Sequence, residues 1–378
     1  MKIAILHPWF LEYGGAEKFV DTIIQIYPNA DIFTLIADKN CMSDIVKSRP
    51  IYTSVLNKIQ VFKKMGIRVR PMLFSDFFQN CIELMNIQEY ELVISSCNTA
   101  FMGAIPGQNS CQVCYCHSPS RVWWDMYDGY KCQLPPILRY AFAKSSRRSR
   151  MWEYQAAQRI DSFSTNSKYV QKRIWQYYRR TSKVLYGPVD TSKSYISDRH
   201  DDYYLSIGRL VESKHIDILI EACNLLGKRL MVVGTGKEEK HLRKIAGPTI
   251  EFRGYVFDQD LPDVYANCRA LLFAADEDLG LVPIEAQAYG RPVIAYGHGG
   301  ALETIIYDVN NASKSSGVFF NNQTTKEVIK ALIYFESIEK KFVPEIIRKN
   351  ALRFDTTIFK HRFKQFVDKA IEESERRQ

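Results

Sequence analysis

The sequence predicts an α/β protein built from two doubly wound parallel sheets. Apolar runs of strand length alternate with segments of helical period along the chain, the pattern of parallel strands joined by helices. The 378 residues are enough for two domains of ordinary size. Between two such strand–helix series lies a polar stretch, residues 186–203, that contains Gly187 and Pro188 and reads as a linker. The expected division is 1–190, 191–355, and a final helix over 356–378.

The first series opens with the continuous apolar strand Ile3–Leu6. Gly14-Gly15 then turns into a helix whose apolar residues, Phe19, Val20, Ile23 and Ile24, keep helical spacing. Strands follow at Asp31–Ile36, Leu92–Ser96, Gln112–Cys116 and Ser162–Asn166. In the second series Tyr203–Arg209 is a strand and its exit, Ile216, Leu219, Ile220 and Cys223 mark a helix, and Arg229–Gly234 is the next strand. Ala270–Ala274 precedes an acidic loop, and a helical run is expected from Glu285 to Tyr289. Gly290-Arg291-Pro292-Val293-Ile294-Ala295 reads as helix stop, turn and strand, and Gly297-His298-Gly299-Gly300 as a turn into another helix. The chain finishes in a charged amphipathic tail carrying Phe359, Phe363, Phe366, Val367 and Ile371.

No run of about 18 apolar residues is present, so no membrane-spanning helix is expected. Met1–Leu6 runs straight into His7-Pro8-Trp9, as a buried first strand would and unlike an export signal, which makes the cytoplasm the expected compartment. Nine cysteines, an odd number, argue against a disulfide framework. Cys111, Cys114, Cys116 and His117 imitate a metal site, but they lack a second pair at zinc spacing and lie on a predicted buried strand. No metal is expected.

Charge is unevenly divided. Residues 1–190 hold 24 Lys and Arg against 15 Asp and Glu, whereas the remainder holds 27 of each. The excess concentrates between Arg139 and Lys183, with Lys144, Arg147, Arg148, Arg150, Lys172, Arg173, Arg179 and Arg180 interleaved with Tyr140, Phe142, Trp152 and Tyr154. A second basic stretch, Ile59–Phe74, contains Lys63, Lys64, Arg68 and Arg70. Such patches fit an anionic surface, membrane phospholipid or nucleic acid, with a solvated helix face as the plain alternative.

The chemistry-bearing residues gather at predicted strand exits, where open α/β sheets bind ligands. Glu277 and Glu285 have seven residues between them, flanking the corner Asp278-Leu279-Gly280-Leu281. Carboxylates accept directional hydrogen bonds from hydroxyls, so the pair suits a sugar and a ribose; an acidic loop before a helix is the alternative. Arg209 stands at a strand exit and Lys214 is placed in the first turn of the next helix, where a cation opposes the helix dipole unless an anion is bound nearby. Gly14-Gly15 permits close backbone approach to a ligand at a helix N-terminus, but is not a GxGxxG fingerprint. His117 lies just past a strand. Asp276-Glu277-Asp278 imitates a DxD metal motif.

In order along the chain, the Gly14-Gly15 loop, the His117 segment, Thr165-Asn166-Ser167, the Arg209/Lys214 pair and the Glu277…Glu285 block resemble glycosyltransferase family 4. The finer resemblance is to its branch of WbaZ-type O-antigen mannosyltransferases, through Cys116-His117-Ser118-Pro119-Ser120-Arg121, Trp124-Asp125 and Glu277-Asp278-Leu279-Gly280. His215 replaces the glycine usual after the lysine, and Tyr186-Gly187-Pro188-Val189-Asp190 departs from the usual Pro-Pro-Val-Asp. The resemblance implies a GT-B fold: two Rossmann-like domains facing a cleft, with the last helix crossing back to the first. It implies a retaining, metal-independent hexosyl transfer, mannose from GDP-mannose, to a lipid-linked glycan at the inner membrane face. Arg209 and Lys214 would stabilise the diphosphate, Glu277 the sugar hydroxyls and Glu285 the ribose. Gly14, Gly15, Asp278, Leu279, Gly280 and Leu281 would line the donor site, and His117 would contact the sugar.

Other readings remain open at this point. A UDP-sugar donor would keep the fold and change the sugar. A sugar-nucleotide epimerase would act without acceptor, and a silent nucleotide-sugar-binding scaffold would bind without turnover. A nucleic-acid binder would use the basic stretch but leave Glu277, Glu285, Arg209 and Lys214 unexplained.

Overall fold

The computed structural model describes residues 1–59, 75–97 and 101–377. Lys63, Lys64, Arg68 and Arg70 of the second basic stretch lie outside the described residues. Two compact units form, one from Met1–Tyr186 with Phe359–Gln378, the other from Gly187–Ile358.

The sheet of the first unit contains β1 (Ile3–Phe10), β2 (Asp31–Ala37), β3 (Ile51–Thr53), β4 (Leu92–Cys97), β5 (Cys111–Cys116), β6 (Ser162–Thr165) and β7 (Lys183–Val184). The order is β3-β2-β1-β4-β5-β6-β7, parallel throughout. Strand order reverses between β1 and β4, the switch point of a doubly wound sheet. Alternation along β5 divides its side chains. Cys111, Val113 and Tyr115 enter one core, while Cys114 and Cys116 join Cys97, Phe163 and Ile174 in another. The cysteines are therefore small core residues, and burial pushes the Cys111 thiol up to about 12. All nine cysteines are free thiols.

Helix α1 (Gly15–Ile26) buries Phe19, Val20, Ile23 and Ile24 on the first of these cores. Its other cover is the C-terminal helix Thr356–Glu375, which contributes Phe359, Phe363, Phe366, Val367 and Ala370 at helical spacing. Phe359 and Phe363 stand edge-on to Phe19 at 5.6 and 6.1 Å. Each such fully buried ring stabilises the unit by roughly 1.5–3 kcal/mol.

Much of the basic stretch is helix α2 (Pro136–Arg159), opened by Pro136 in its first turn. Its buried face is Phe142, Ser146, Ser149, Glu153, Ala156 and Ala157, small and polar residues at helical spacing. The structure divides the basic residues by role. Arg180 donates to the carbonyls of Ala157, Gln158 and Ile160, capping the end of α2. Arg173 is buried and bonded to Asp125, Arg150 donates to the Trp123 carbonyl, and Arg148 pairs with Asp76. Phe142 is core, and Trp152 is half-buried, donating to Glu83. Lys144, Arg147, Lys172, Arg179, Tyr140 and Tyr154 remain exposed. Among the described residues, no helix is long and apolar enough to cross a membrane.

The sheet of the second unit contains β8 (Tyr204–Ile207), β9 (Leu230–Val233), β10 (Ile250–Gly254), β11 (Ala270–Phe273), β12 (Val293–Tyr296) and β13 (Gly317–Phe320). The order is β10-β9-β8-β11-β12-β13, again parallel, with the switch point between β8 and β11. One face packs on Leu219, Ile220, Leu332 and Phe335, the other on Tyr265, Ala286, Tyr289 and Ile305.

Candidate functional site

In the second unit the loops leaving β8 and β11 carry the predicted cluster. Arg209 is exposed just past β8. Lys214 lies in a single 3-10 turn, Glu212–Lys214, and the helix Ile216–Leu226 starts only after His215, whose φ is 50°. The expected placement of Lys214 in the helix's first turn is thus corrected. The left-handed His215, where the resemblance has glycine, separates the turn from the helix. Nor does Lys214 lack a local partner: it forms an ion pair with Glu277. Burial, then the nearby Arg209 charge, lower the Lys214 ammonium to about 8, with Asp278 opposing them.

Glu277 enters the loop after β11, half-buried, and uses Oε1 for Lys214. Oε2 takes no hydrogen bond from the described residues, leaving acceptor capacity for hydroxyls. The loop backbone is clamped. Gly300 N–H donates to the Glu277 carbonyl at 2.9 Å, and Gln323 donates to the Ala274 carbonyl at 2.7 Å. A Cβ on Gly300 would stand 2.3 Å from the Leu279 Cα, so only glycine fits there. Asp276 is bonded to His298 Nδ1 at 2.9 Å, and the buried Leu279 anchors the corner.

Gly280, with φ 79°, is the N-cap of helix α3 (Leu281–Ala288). The helix therefore starts four residues before the expected Glu285, with Pro283 tolerated in its first turn. Glu285 falls one turn beyond Leu281 on the same face, and the free amides of the helix N-terminus favour an anion. Tyr265 Oη donates to Glu285 Oε2 at 2.6 Å, and the Tyr265 ring stacks on Tyr289 at 5.5 Å. Burial, reinforced by Glu285, pushes the Tyr265 hydroxyl well above its ordinary range, so it stays a donor. Buried Gln287 fixes the helix through the Pro283 and Thr304 carbonyls and Asn350.

In the first unit, His117 follows β5 and Gly14 caps α1, as Glu17 Oε2 accepts the Gly14 N–H at 2.9 Å. Thr165 and Asn166 hold the His117 segment by donating to the Cys116 and His117 carbonyls at 2.9 and 3.1 Å. Three residues absent from the sequence expectations join them. His7 on β1, Ser96 on β4 and Glu17 on α1 are buried. Their contacts run Glu17 Oε1 to His7 Nε2 at 3.3 Å, His7 Nδ1 to Ser96 Oγ at 3.1 Å, and Ser96 Oγ to His117 Nε2 at 3.0 Å. The spacing from Gly14 to Glu17, that of a capping box, is the signal that could have found Glu17. His117 is lowered to about 3 by burial and by nearby His7, so its ring is neutral. Burial pushes the Glu17 carboxyl up, but the His7 and Gly14 hydrogen bonds outweigh it and hold it below its ordinary range. Trp124 and Asp125 serve internal contacts, Trp124 donating to Glu153 and Asp125 accepting from Arg121 and Arg173.

Residues 201–335 match the family described as glycosyl transferases group 1. The chain is 24% identical over 245 residues to alpha-1,3/1,6-mannosyltransferase ALG2 of Candida glabrata, covering 50% of this chain and 53% of that protein. Over 117 residues it is 38% identical to the GDP-mannose-dependent alpha-(1-6)-phosphatidylinositol monomannoside mannosyltransferase of Mycobacterium tuberculosis, covering 26% and 30% respectively. The chain thus spans about half, or less, of the length of these curated relatives. The crystal structure of Anabaena Alr3699/HepE in complex with UDP-glucose matches with a TM-score of 0.70 and 18% identity, covering 98% of this chain and 100% of that one, a likeness of fold. Residues 201–335 thus match the glycosyl transferases group 1 family, and the chain has the GT-B fold of two Rossmann-like parallel-sheet domains.

Proposed function

We propose that the protein transfers a hexose, mannose from GDP-mannose, to a hydroxyl of a lipid-linked glycan in surface-polysaccharide or O-antigen synthesis. The observation that carries this reading is the grouping at one switch point of the Lys214–Glu277 ion pair, Arg209, the α3 N-terminus and the Tyr265-bound Glu285. Cations and helix amides suit a diphosphate, and the two carboxylates suit hydroxyls on either side of it. Mannose is favoured by the 38% identity to a GDP-mannose-dependent enzyme.

In the proposed step the acceptor oxygen bonds to the anomeric carbon as the bond from that carbon to the diphosphate oxygen breaks. The acceptor proton passes to the departing diphosphate on the same face, which retains configuration. Arg209, Lys214 and the α3 amides stabilise the charge that develops there, without a divalent ion. Glu277 orients the sugar and Glu285 the ribose. The first unit serves the acceptor, and its exposed Lys144, Arg147, Lys172 and Arg179, with Tyr140 and Tyr154, are available to an anionic membrane.

Calorimetric titration with GDP, UDP, ADP and their sugar conjugates, on wild type and Glu285→Ala, tests the reading. Selective binding of GDP and GDP-mannose, weakened by the substitution, is expected. Preference for UDP discards mannose, and no binding by any nucleotide sugar overturns the transferase reading.

A further inference from the structure

The buried chain Glu17–His7–Ser96–His117 has a direction, because its first member can only accept. An ionised carboxylate carries no proton to donate, so His7 must present Nε2–H to Glu17. A His7 ring that carries this one proton has Nδ1 as an acceptor, and the Ser96 hydroxyl then donates to it. Ser96 Oγ, its proton committed, is left to accept, and the donor it faces is His117 Nε2. His117 in turn carries its proton on Nε2 and keeps Nδ1 as a lone pair, an atom that makes no hydrogen bond among the described residues.

We propose that Glu17, His7 and Ser96 are positioning residues that hold His117 as its Nε2–H tautomer, so that Nδ1 accepts a hydrogen bond from a substrate hydroxyl. The consequence for a hydroxyl ligand rests on the glycosyl-transfer reading; the tautomer does not. The elements that carry the chain support a dedicated arrangement. It crosses β1, β4 and α1 to the exit of β5 at the switch point of the first sheet. The three relay residues are no more than 6% exposed, so water does not compete for their hydrogen bonds. Phe19 and Tyr115 each meet the His117 ring edge-to-face at 5.0 Å, which limits its rotation.

Glu17→Gln supplies a sharp test, because the Gly14 amide dictates how the new side chain must sit. Gly14 N–H donates to Oε2 of Glu17, so the amide oxygen of the glutamine must take that place. Its NH2 group then faces His7 Nε2 and donates to it. The His7 proton moves to Nδ1, the Ser96 hydroxyl turns to donate to His117, and the His117 proton moves to Nδ1. One substitution reverses every hydrogen bond in the chain and turns His117 Nδ1 from acceptor to donor.

The measurement is long-range proton–nitrogen NMR on histidine-ring-labelled protein near pH 8. Seven histidines give a countable spectrum, with His7→Gln and His117→Gln for assignment. The expected result is a protonated Nε2 on His117 in wild type and a protonated Nδ1 in Glu17→Gln. Ser96→Ala interrupts the chain, so adding Glu17→Gln to it leaves His117 unchanged. Nucleoside diphosphate affinity stays at the wild-type value in Glu17→Gln, while transfer falls roughly tenfold or more. Wild-type His117 protonated on Nδ1, or a His117 spectrum unmoved by Glu17→Gln, overturns the proposal. Because the spectrum needs no substrate, that failure is distinct from failure to bind nucleotide sugars.

Discussion

Lys214 and Glu277 form an ion pair that ties the loop after β8 to the loop after β11, across the point where strand order reverses. Their side chains are 22% and 28% exposed, so the pair is neither fully screened nor fully desolvated. Lys214 is expected to serve a diphosphate and Glu277 a sugar, which separates their variants. Glu277→Ala should cost nucleotide-sugar binding at least tenfold while leaving the bare nucleoside diphosphate bound as well or better, since Lys214 is released. Lys214→Met should weaken both. Parallel titrations with the diphosphate and its sugar conjugate check the contrast; equal losses in Glu277→Ala would contradict it.

Lys214 also implies a pH dependence. Its ammonium, lowered to about 8, is charged below that pH and loses its charge above it. Diphosphate affinity should therefore fall as pH rises from 7 through about 8 to 9.5, and Lys214→Met should flatten the profile. Calorimetry across that range reads the slope directly.

Tyr265 donates to Glu285 from a buried position, and Tyr265→Phe removes only that hydroxyl. A hydrogen bond to a charged acceptor contributes about 1.5–3 kcal/mol, so nucleotide affinity should fall roughly tenfold or more. The variant should keep its fold, because the ring still stacks on Tyr289. An unchanged Kd would show that Glu285 needs no such support.

Glu153 offers a stability test away from the candidate ligand contacts. Burial pushes its carboxyl from 4.5 up to about 8, against the Trp124 hydrogen bond that favours the anion. A raised carboxyl contributes stability that is fully present below pH 4.5 and is lost as pH rises to about 8. Relative to wild type, Glu153→Gln should thus gain melting temperature on going from pH 5 to pH 8.5. A constant difference between the two proteins would refute the buried-acid account.

Gly300→Ala should damage the loop after β11, because its Cβ meets the Leu279 Cα at 2.3 Å. Backbone cannot swing aside as a side chain does, so a loss of about 1–3 kcal/mol is expected. Denaturant unfolding measures it, with nucleotide titration reporting the displaced Glu277.

The sequence showed the alternation of strands and helices because parallel strands buried on both faces are nearly continuous apolar runs, as in Leu92–Cys97. It showed α2 poorly, because that helix buries serines, alanines and Glu153, which leave little apolar period to read. The short edge strands Ile51–Thr53 and Lys183–Val184 left no signal of their own.

Residue types and spacing by themselves determined the two-sheet plan and which loops carry Arg209, Lys214, Glu277, Glu285 and His117, since strand exits follow from local pattern. Only the tertiary structure decided which of them touch. Glu277 meets Lys214 from 63 residues away, and His7 meets Ser96 across 89. Parallel neighbours are joined through crossovers, so strand order places these partners side by side, and spacing along the chain carries no record of it. The same ordering turned part of the basic stretch inward, where Arg173 and Arg180 satisfy a carboxylate and a helix end rather than an outside partner.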